Sequence, residues 1–321
     1  MAERNDTIIL GDVSITRVVE WSGPLRTGRE IFPDSAPETW HEHRDELVPD
    51  FWHPGDDSYL LAIQSWVVRS DGMTLIVDTG AGNDRNRPQV PQFHQLRTPF
   101  LDSLASAGVE PETVDIVVNT HVHYDHVGWN TQLWDGEWQP TFPNATYLIP
   151  RIDRDYFDPM NEHLRPVPRT DADRLRRRGS HLVFEDSVAP ILREDRAVLW
   201  EDDYRIDANL TLEPAPGHTP GSSLLHLRSG SDRAVFVGDM LHSPVQFHEP
   251  DVNSCFCEHP EQARATRRRV LAEAADTRTL VVPAHFPGHG ATEISRDGDG
   301  FTVRSWAGLG LVHPGAPRVS M

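Results

Sequence analysis

The segment that decides the fold of this chain spans residues 119–128 and reads Asn119-Thr120-His121-Val122-His123-Tyr124-Asp125-His126-Val127-Gly128. It continues from an unbroken apolar run at residues 114–120, VDIVVNT, which predicts a buried strand. Side chains two positions apart on an extended chain point to the same side, so His121 and His123 are predicted to project together. The loop then turns and brings Asp125 and His126 to a second position.

These side chains are typical ligands of divalent metal ions. Imidazole and carboxylate suit zinc, iron, nickel or manganese, and the segment contains no thiol that would favour a softer metal. One short loop can therefore supply two ligands to each of two ions. The alternative is a surface loop that is rich in histidine by chance, because a motif match alone carries a risk of coincidence.

The rest of the chain has the strand pattern of a two-sheet protein. Residues 7–19 predict a hairpin that turns at Gly11-Asp12, and residues 59–78 predict a second hairpin that ends at Asp78. Further strands are predicted at 146–150, 210–213, 222–228, 234–238 and 279–284, and helices at 98–107, with Thr98 as a cap, and at about 260–275. Each half gives strands and then a helix, which predicts an α/β fold with two sheets face to face and helices outside.

Two segments interrupt this pattern. Residues 21–57 are rich in proline, tryptophan, histidine and acid and show little periodicity, so we expect a long excursion that acts as a lid or a dimer arm. Residues 151–200 are highly charged and predict a mostly helical insertion. We expect residues 1–321 to form a single domain that carries both segments.

The histidine-rich segment resembles the HxHxDH signature of the metallo-β-lactamase superfamily. Other motifs of that family follow in its order: Asp78-Thr79-Gly80, Pro216-Gly217-His218-Thr219-Pro220-Gly221, Val237-Gly238-Asp239 and Ala284-His285. The resemblance covers residues 58–304. It implies an αββα sandwich, with the functional site at one edge of the two sheets.

The resemblance also implies a dinuclear metal site. Mapped onto this chain, the implied ligands are His121, His123 and His218 for the first ion, Asp125, His126 and His285 for the second, and Asp239 as the bridge between them. Asp78 is implied to orient a ligating histidine through its other ring nitrogen, the alternative being a turn or helix-capping carboxylate. The implied cofactor is two divalent ions, zinc in the first place, with iron, manganese, nickel or cobalt as alternatives.

Such a site hydrolyses small molecules. Two ions about 3.5–4 Å apart share one water and acidify it, and the hydroxide attacks a carbonyl carbon or a phosphorus atom. We expect Asp125, Asp239 and His242 to take part in catalysis, His242 as a proton donor or oxyanion partner; its alternative is a structural histidine.

Two groups of the superfamily fit the motifs, the N-acyl homoserine lactonases and the methyl parathion hydrolase group. In the lactonases a tyrosine typically follows shortly after the bridging aspartate, where this chain has His242. That position and residues 284–290 look more like the parathion hydrolase pattern. We therefore expect hydrolysis of a lactone or ester, with organophosphate or aryl-ester hydrolysis as one alternative and a catalytically degenerate metal-binding scaffold as another.

Aromatic residues flank the ligand motifs. Trp129, Phe247 and Phe286 are predicted to form an apolar substrate wall, the alternative for each being ordinary core packing.

Charge and composition limit the partners. The net charge of -19 would repel a polyanion, so we expect no nucleic acid. No stretch reaches the ~18 uncharged apolar residues of a membrane span, and the first residues, MAERNDTIIL, do not have the pattern of a secretory signal. We expect a cytoplasmic protein with a small-molecule substrate, and the family and the excursion are compatible with a homodimer.

Overall fold

The computed structural model describes residues 6–168 and 171–312. The strands of the first half are β1 (Thr7–Leu10), β2 (Val13–Thr27), β3 (Trp52–His53), β4 (Ser58–Ser70), β5 (Met73–Val77), β6 (Ile116–Val118), β7 (Thr131–Trp134), β8 (Glu137–Pro140), β9 (Thr146–Pro150) and β10 (Ala197–Trp200). Those of the second half are β11 (Tyr204–Arg205), β12 (Leu210–Pro214), β13 (Ser223–Ser229), β14 (Asp232–Gly238), β15 (Leu280–Pro283), β16 (Thr292–Asp297) and β17 (Gly300–Trp306).

Most of the helices are short. They are α1 (Gly28–Ile31), α2 (Pro37–Glu42), α3 (Arg44–Leu47), α4 (Phe100–Ser106), α5 (Arg151–Phe157), α6 (Asp171–Arg177), α7 (Ser180–Val183), α8 (Ala189–Arg193), α9 (Val245–His248) and α10 (Pro260–Thr277). Helix α10 begins with Pro260, whose missing N–H costs nothing at a first helical position, and ends at the left-handed residue Arg278. None of the helices in the described ranges has both the length and the apolarity of a membrane span.

The strands form two large sheets and a small hairpin, β7-β8. The first sheet has the order β1-β2-β4-β5-β6-β9-β10, with β3 also paired to β4, and its strands β5, β6, β9 and β10 are parallel neighbours. The second sheet has the order β11-β12-β13-β14-β15-β16-β17, and β14 and β15 are its parallel pair. Parallel strands end at the same edge of a sheet, so loops that follow them are brought together.

The two sheets pack face to face. Val68 and Leu75 of the first sheet and Leu225 and Phe236 of the second belong to one buried apolar cluster between them. Because side chains alternate along a strand, their neighbours point outward.

The outward-pointing side chains pack against helices. Ile76 belongs to a cluster with Phe100 of α4 on one outer face, and Val235 to a cluster with Val270 of α10 on the other. This arrangement confirms the predicted αββα sandwich.

Both predicted hairpins are confirmed, with the first turn at residues 11–12. The predicted cap at Thr98 is wrong, because α4 begins at Phe100 after Pro99, and the Thr98 hydroxyl instead donates to Glu20. The excursion begins at Gly28, later than predicted, because β2 continues along β4 as far as Thr27. The described part of the charged insertion contains α5 to α8 and then ends in β10, which agrees with its predicted helical character.

Candidate metal centre

The candidate ligands lie in loops at one edge of the sandwich. The loop of His121 to His126 follows β6, and Asp78 follows the neighbouring parallel strand β5. In the second sheet Asp239 follows β14, and His285 follows its parallel neighbour β15. His218 lies in the connection between β12 and β13. The sheet topology therefore brings together motifs that are far apart in the sequence.

A first group of ligand atoms surrounds one point. The Nδ1 atom of His123 lies 3.1 Å from Nε2 of His121 and 3.0 Å from Nε2 of His218. Oδ2 of Asp239 lies 3.2 Å from Nε2 of His218 and 3.7 Å from Nε2 of His121. All four side chains point one nitrogen or oxygen atom inward, and together they can hold a metal ion.

A second group lies on the other side of Asp239. Its Oδ1 atom is 3.0 Å from Nε2 of His126 and 2.9 Å from Nε2 of His285. Asp125 completes the group, with Oδ2 3.5 Å from Nε2 of His285 and Oδ1 3.8 Å from Nε2 of His126. The two carboxylate oxygens of Asp239 thus face different groups, which is the geometry of a bridging ligand.

Most of the rings are oriented through their other nitrogen. Nδ1 of His126 lies 2.8 Å from the Asp78 carboxylate, and Nδ1 of His285 lies 3.0 Å from the carbonyl oxygen of Ala62. Nδ1 of His121 lies 3.1 Å from the Thr120 hydroxyl. Such partners fix the tautomer and the direction of the ring.

Asp78 holds two parts of this edge together. Besides contacting His126, it accepts hydrogen bonds at 2.8 Å from both the backbone N–H and the hydroxyl of Thr120. Asp78 therefore contacts both the start of the histidine loop, at Thr120, and its end, at His126.

The glycine that ends the motif is required by close packing. A Cβ atom on Gly128 would lie 2.0 Å from the carbonyl carbon of Ala81, in the loop that follows Asp78. Any side chain here would separate the histidine loop from its supporting loop.

Burial and charge prepare the groups for cation binding. Burial lowers the pKa of His121 and His123 well below the ordinary imidazole value, and it lowers that of His218 to about 4. Burial would raise the pKa of Asp239, but the surrounding histidines hold it well below the usual carboxyl range. Three neutral imidazoles and an ionised carboxylate therefore face the first position.

The donor set fits a pair of divalent ions. Nε2 of His126 and Oδ1 of Asp239 are buried, and although they lie 3.0 Å apart, neither makes a hydrogen bond of good geometry with a described residue. Buried polar atoms of native proteins are rarely left in this state without a further ligand. Nitrogen and oxygen donors in two adjacent groups are suited to zinc, iron, manganese, nickel or cobalt.

A cavity of about 220 Å³ opens above the two groups. His123, Asp125, Asp239, His242 and His285 lie in its wall. Nε2 of His242 is 3.2 Å from Oδ2 of Asp239, and both of its ring nitrogens lack a hydrogen-bond partner among the described residues. The backbone oxygen of His242 accepts a hydrogen bond at 2.7 Å from the hydroxyl of Tyr59. His242 therefore has a fixed backbone and lies in the cavity wall with its Nε2 atom beside Asp239.

The predicted aromatic substrate wall is wrong, because none of its residues lines this cavity. Trp129 is buried beside Phe100, and its indole N–H donates to Glu20 at 2.7 Å. Phe247 and Phe286 are fully buried and pack against each other in the core, with ring centroids 6.0 Å apart. The apolar part of the wall includes instead Leu25, Leu61, Val90, Val122, Phe157 and Phe256.

Sequence reasoning also missed a buried carboxylate, Asp153 on α5. It accepts hydrogen bonds from the backbone of Val122 and Gly221 and from the hydroxyl of Thr219. The one available signal was its place just after the predicted strand 146–150, and the surrounding charges concealed it.

The family model of the metallo-β-lactamase superfamily matches residues 59–285. Because this match covers more than half of the chain, the protein belongs to that superfamily.

Named relatives lie within the same superfamily fold. The N-acyl homoserine lactonase AttM of Rhizobium radiobacter is 25% identical over 193 residues, which are 58% of this chain and 64% of the relative. The chain thus matches less than two thirds of that relative's length. A solved structure of AidC, a dizinc quorum-quenching lactonase in complex with a product, superposes with a TM-score of 0.79 at 21% identity and covers 95% of this chain and 98% of its own. The structure of the hydrolase AbOPH superposes with a TM-score of 0.77 at 22% identity. This match covers 94% of this chain and 97% of the AbOPH chain. At these identities the two structures show a shared fold.

Proposed function

We propose that this protein is a dinuclear-metal hydrolase that opens a lactone or cleaves an ester of a small molecule. The observation that carries the proposal is the position of Asp239, whose two oxygens face two separate groups of ligand atoms at the base of a cavity. We assign His121, His123 and His218 to the first ion, Asp125, His126 and His285 to the second, and Asp239 to both.

Zinc is the ion we propose for both positions. The ligands are imidazoles and carboxylates, which zinc accepts at low coordination number, and AidC is described as a dizinc enzyme. A bound pair of ions supplies an acidified water and positive charge for the oxygen of the substrate carbonyl. The protein's own residues then have to orient the substrate, exclude bulk water and deliver a proton.

His242 is the residue we propose for proton delivery. It lies in the cavity wall beside Asp239, and burial lowers its pKa, so it is neutral at physiological pH and carries one N–H. Such an N–H can donate a hydrogen bond to the oxygen that gains charge or to the leaving group. Asp125 and Asp239 take part in the reaction as ligands of the ions that lie beside His242.

The cavity supports a small and partly apolar substrate. Its wall combines aliphatic and aromatic side chains with a few polar groups, which is typical of small-molecule sites. AttM and AidC are named as lactonases, and the AidC structure contains a homoserine product. These names support a lactone as the first substrate to test.

The cellular location and assembly remain expectations. Among the described residues neither Cys255 nor Cys257 forms a disulfide, which favours a reducing compartment such as the cytoplasm. We expect a homodimer or a monomer that requires no nucleic acid or membrane.

A hydrolysis panel tests the proposed function. The zinc-loaded protein is assayed with acyl lactones, aryl esters and phosphotriesters, with Asp239→Ala as the matched inactive variant. We expect turnover of lactones or esters that is lost in Asp239→Ala. Faster turnover of phosphotriesters would instead favour the organophosphate alternative, and equal rates in the parent and Asp239→Ala would refute the site.

A further inference from the structure

The cavity wall contains a single permanently cationic residue within the described ranges, Arg26. It comes from the end of β2, outside the ligand motifs. The neighbouring wall positions include Leu25, Tyr59 and Phe256. Arg26 is only partly buried, so its guanidinium stays accessible to a ligand in this largely apolar cavity.

A bulge directs Arg26 into the cavity. The register between β2 and β4 shifts between Pro24 and Arg26, so that Pro24 lies opposite Leu60 and Arg26 opposite Tyr59. Leu25 is the extra residue. In a regular strand two consecutive side chains point to opposite faces, whereas a bulge changes their direction. Both Leu25 and Arg26 therefore line the same cavity.

Arg26 lies close to the reacting end of the cavity. Its Cζ atom is 6.0 Å from the centroid of the Phe256 ring, and that ring is 5.9 Å from the ring of His242. Its strand partner Tyr59 donates a hydrogen bond to the backbone of His242. One aromatic ring thus separates the guanidinium from the residue we propose for proton delivery.

The charge of Arg26 acts on Glu30, whose pKa it helps to lower, without a direct ion pair. Within the described residues no carboxylate lies within ion-pair distance of its guanidinium. Glu30, which lies in the same wall, is turned toward Thr27 and accepts from its backbone N–H at 2.9 Å and from its hydroxyl at 2.8 Å. By contrast, Arg87, which is fully buried, is paired with Asp186 at 2.7 Å.

We propose that Arg26 binds an anionic group of the substrate at the end remote from the scissile bond. This inference rests on the proposed function. It defines the substrate class as lactones or esters that carry, apart from the scissile bond, an acidic group such as a carboxylate. A guanidinium forms charge-assisted hydrogen bonds to a carboxylate, and an apolar wall strengthens them. In a chain with a net charge of -19, this local positive charge is also what allows an anion to enter.

Two matched esters test the proposal by kinetics. One is the p-nitrophenyl monoester of a straight-chain dicarboxylic acid, and the other is the p-nitrophenyl ester of the monocarboxylic acid of the same length, each made as a series of chain lengths. At the best length we expect the parent to prefer the acidic ester by about tenfold in kcat/KM, mainly through KM. The preference should decrease as salt is added.

Variants of Arg26 locate the source of this preference. Arg26→Gln should remove it, and Arg26→Lys should keep part of it because the charge remains. Arg29→Gln removes the same charge from an exposed position on α1 that does not line the cavity, and should keep the preference. A parent without preference, or the same preference in Arg26→Gln, would overturn the proposal.

A binding measurement keeps this result separate from the proposed hydrolysis. Calorimetry compares a straight-chain dicarboxylate with the monocarboxylate of the same length on the zinc-loaded protein. We expect tighter binding of the dicarboxylate to the parent, and equal binding of the two to Arg26→Gln. If neither ester is hydrolysed, the proposed function fails, but the binding comparison still decides the role of Arg26. Equal binding of the dicarboxylate and the monocarboxylate to the parent would overturn the role of Arg26.

Discussion

The carboxylate of Asp153 accepts a hydrogen bond from the hydroxyl of Thr219 at 2.8 Å, and so joins helix α5 to the loop that carries His218. The same oxygen accepts a second hydrogen bond at 2.9 Å from the backbone N–H of Val122, between His121 and His123. One buried side chain therefore fixes both loops that supply the first ligand group. These hydrogen bonds go to Val122 and Thr219, which are next to the ligands, and not to the ligands themselves.

Replacement of Asp153 should weaken metal binding. In Asp153→Ala the two loops lose their common acceptor, so we expect the affinity of the first ion to fall by about 10–100-fold, as is usual when a supporting partner is lost. A competition titration with a chelator measures this. Asp155→Ala is the control, because Asp155 is half-exposed on the same helix and its one ion pair among the described residues is with Arg154. Unchanged affinity in Asp153→Ala would contradict the positioning role.

The same residue should give a pH-dependent stability to the metal-free protein. Burial raises the pKa of Asp153 from its ordinary 3.8 to about 6, against the effect of its hydrogen bonds. The folded chain therefore binds this proton more tightly than the unfolded chain does. Its contribution to the free energy of unfolding is complete below about pH 4, decreases as the pH rises to about 6, and is constant above.

Asp153→Asn isolates this effect, because an amide does not titrate. The stability of the parent relative to Asp153→Asn should decrease between about pH 4 and pH 6. Urea unfolding of both proteins at several pH values measures the difference. A difference that does not vary with pH across this window would show that Asp153 does not titrate as described.

His242 should affect turnover far more than metal content. Since His242 lines the cavity beside Asp239, we expect His242→Gln to lower kcat by about 10²–10⁴-fold, the usual contribution of general acid–base catalysis. Both ions should be retained and KM should change little. His226→Gln, on β13 and paired with Glu213 outside the cavity, is the control. Loss of an ion in His242→Gln would instead identify His242 as a ligand.

A buried ion-pair cluster should hold the charged insertion, residues 151–200, to the loop that follows β5. Asp186, in the π-helical segment Phe184–Val188 that joins α7 to α8, pairs with both Arg85 and Arg87, and both guanidiniums are buried. Asp186→Ala leaves two uncompensated charges, so we expect a loss of about 3–5 kcal/mol in the free energy of unfolding.

An exposed pair of similar geometry provides the control for Asp186. Arg268 contacts Asp251 through two nitrogens at 2.6 and 2.7 Å, and both side chains are largely exposed. Asp251→Ala should cost less than about 1 kcal/mol. Denaturant unfolding measures both variants, and equal losses would show that burial does not govern the energy of the Asp186 cluster.

The fold and the ligand positions could be predicted from the sequence because their signals are local. An apolar run followed by His121, Asp239 or His285 marks a strand that ends in a polar loop. The order of these motifs along the chain then indicates the family. Convergence of the loops follows from the sheet topology rather than from any single segment.

The cavity wall and the supporting residues could not be predicted in this way. An aromatic residue beside a ligand motif, such as Phe286, does not reveal which face of its segment is buried. The direction of Arg26 depends on a bulge, which is visible only in the pairing of β2 with β4. Asp153 stands among many surface charges, and its burial depends on how α5 packs on the two loops.

Metal content of the purified, zinc-dialysed protein tests the central claim most directly. Elemental analysis should give about two ions per chain, because the two oxygens of Asp239 face two separate groups of ligand atoms. Asp239→Ala, which removes the shared ligand, should retain clearly less. A parent that binds no zinc, or an Asp239→Ala variant that retains as much as the parent, would contradict the account.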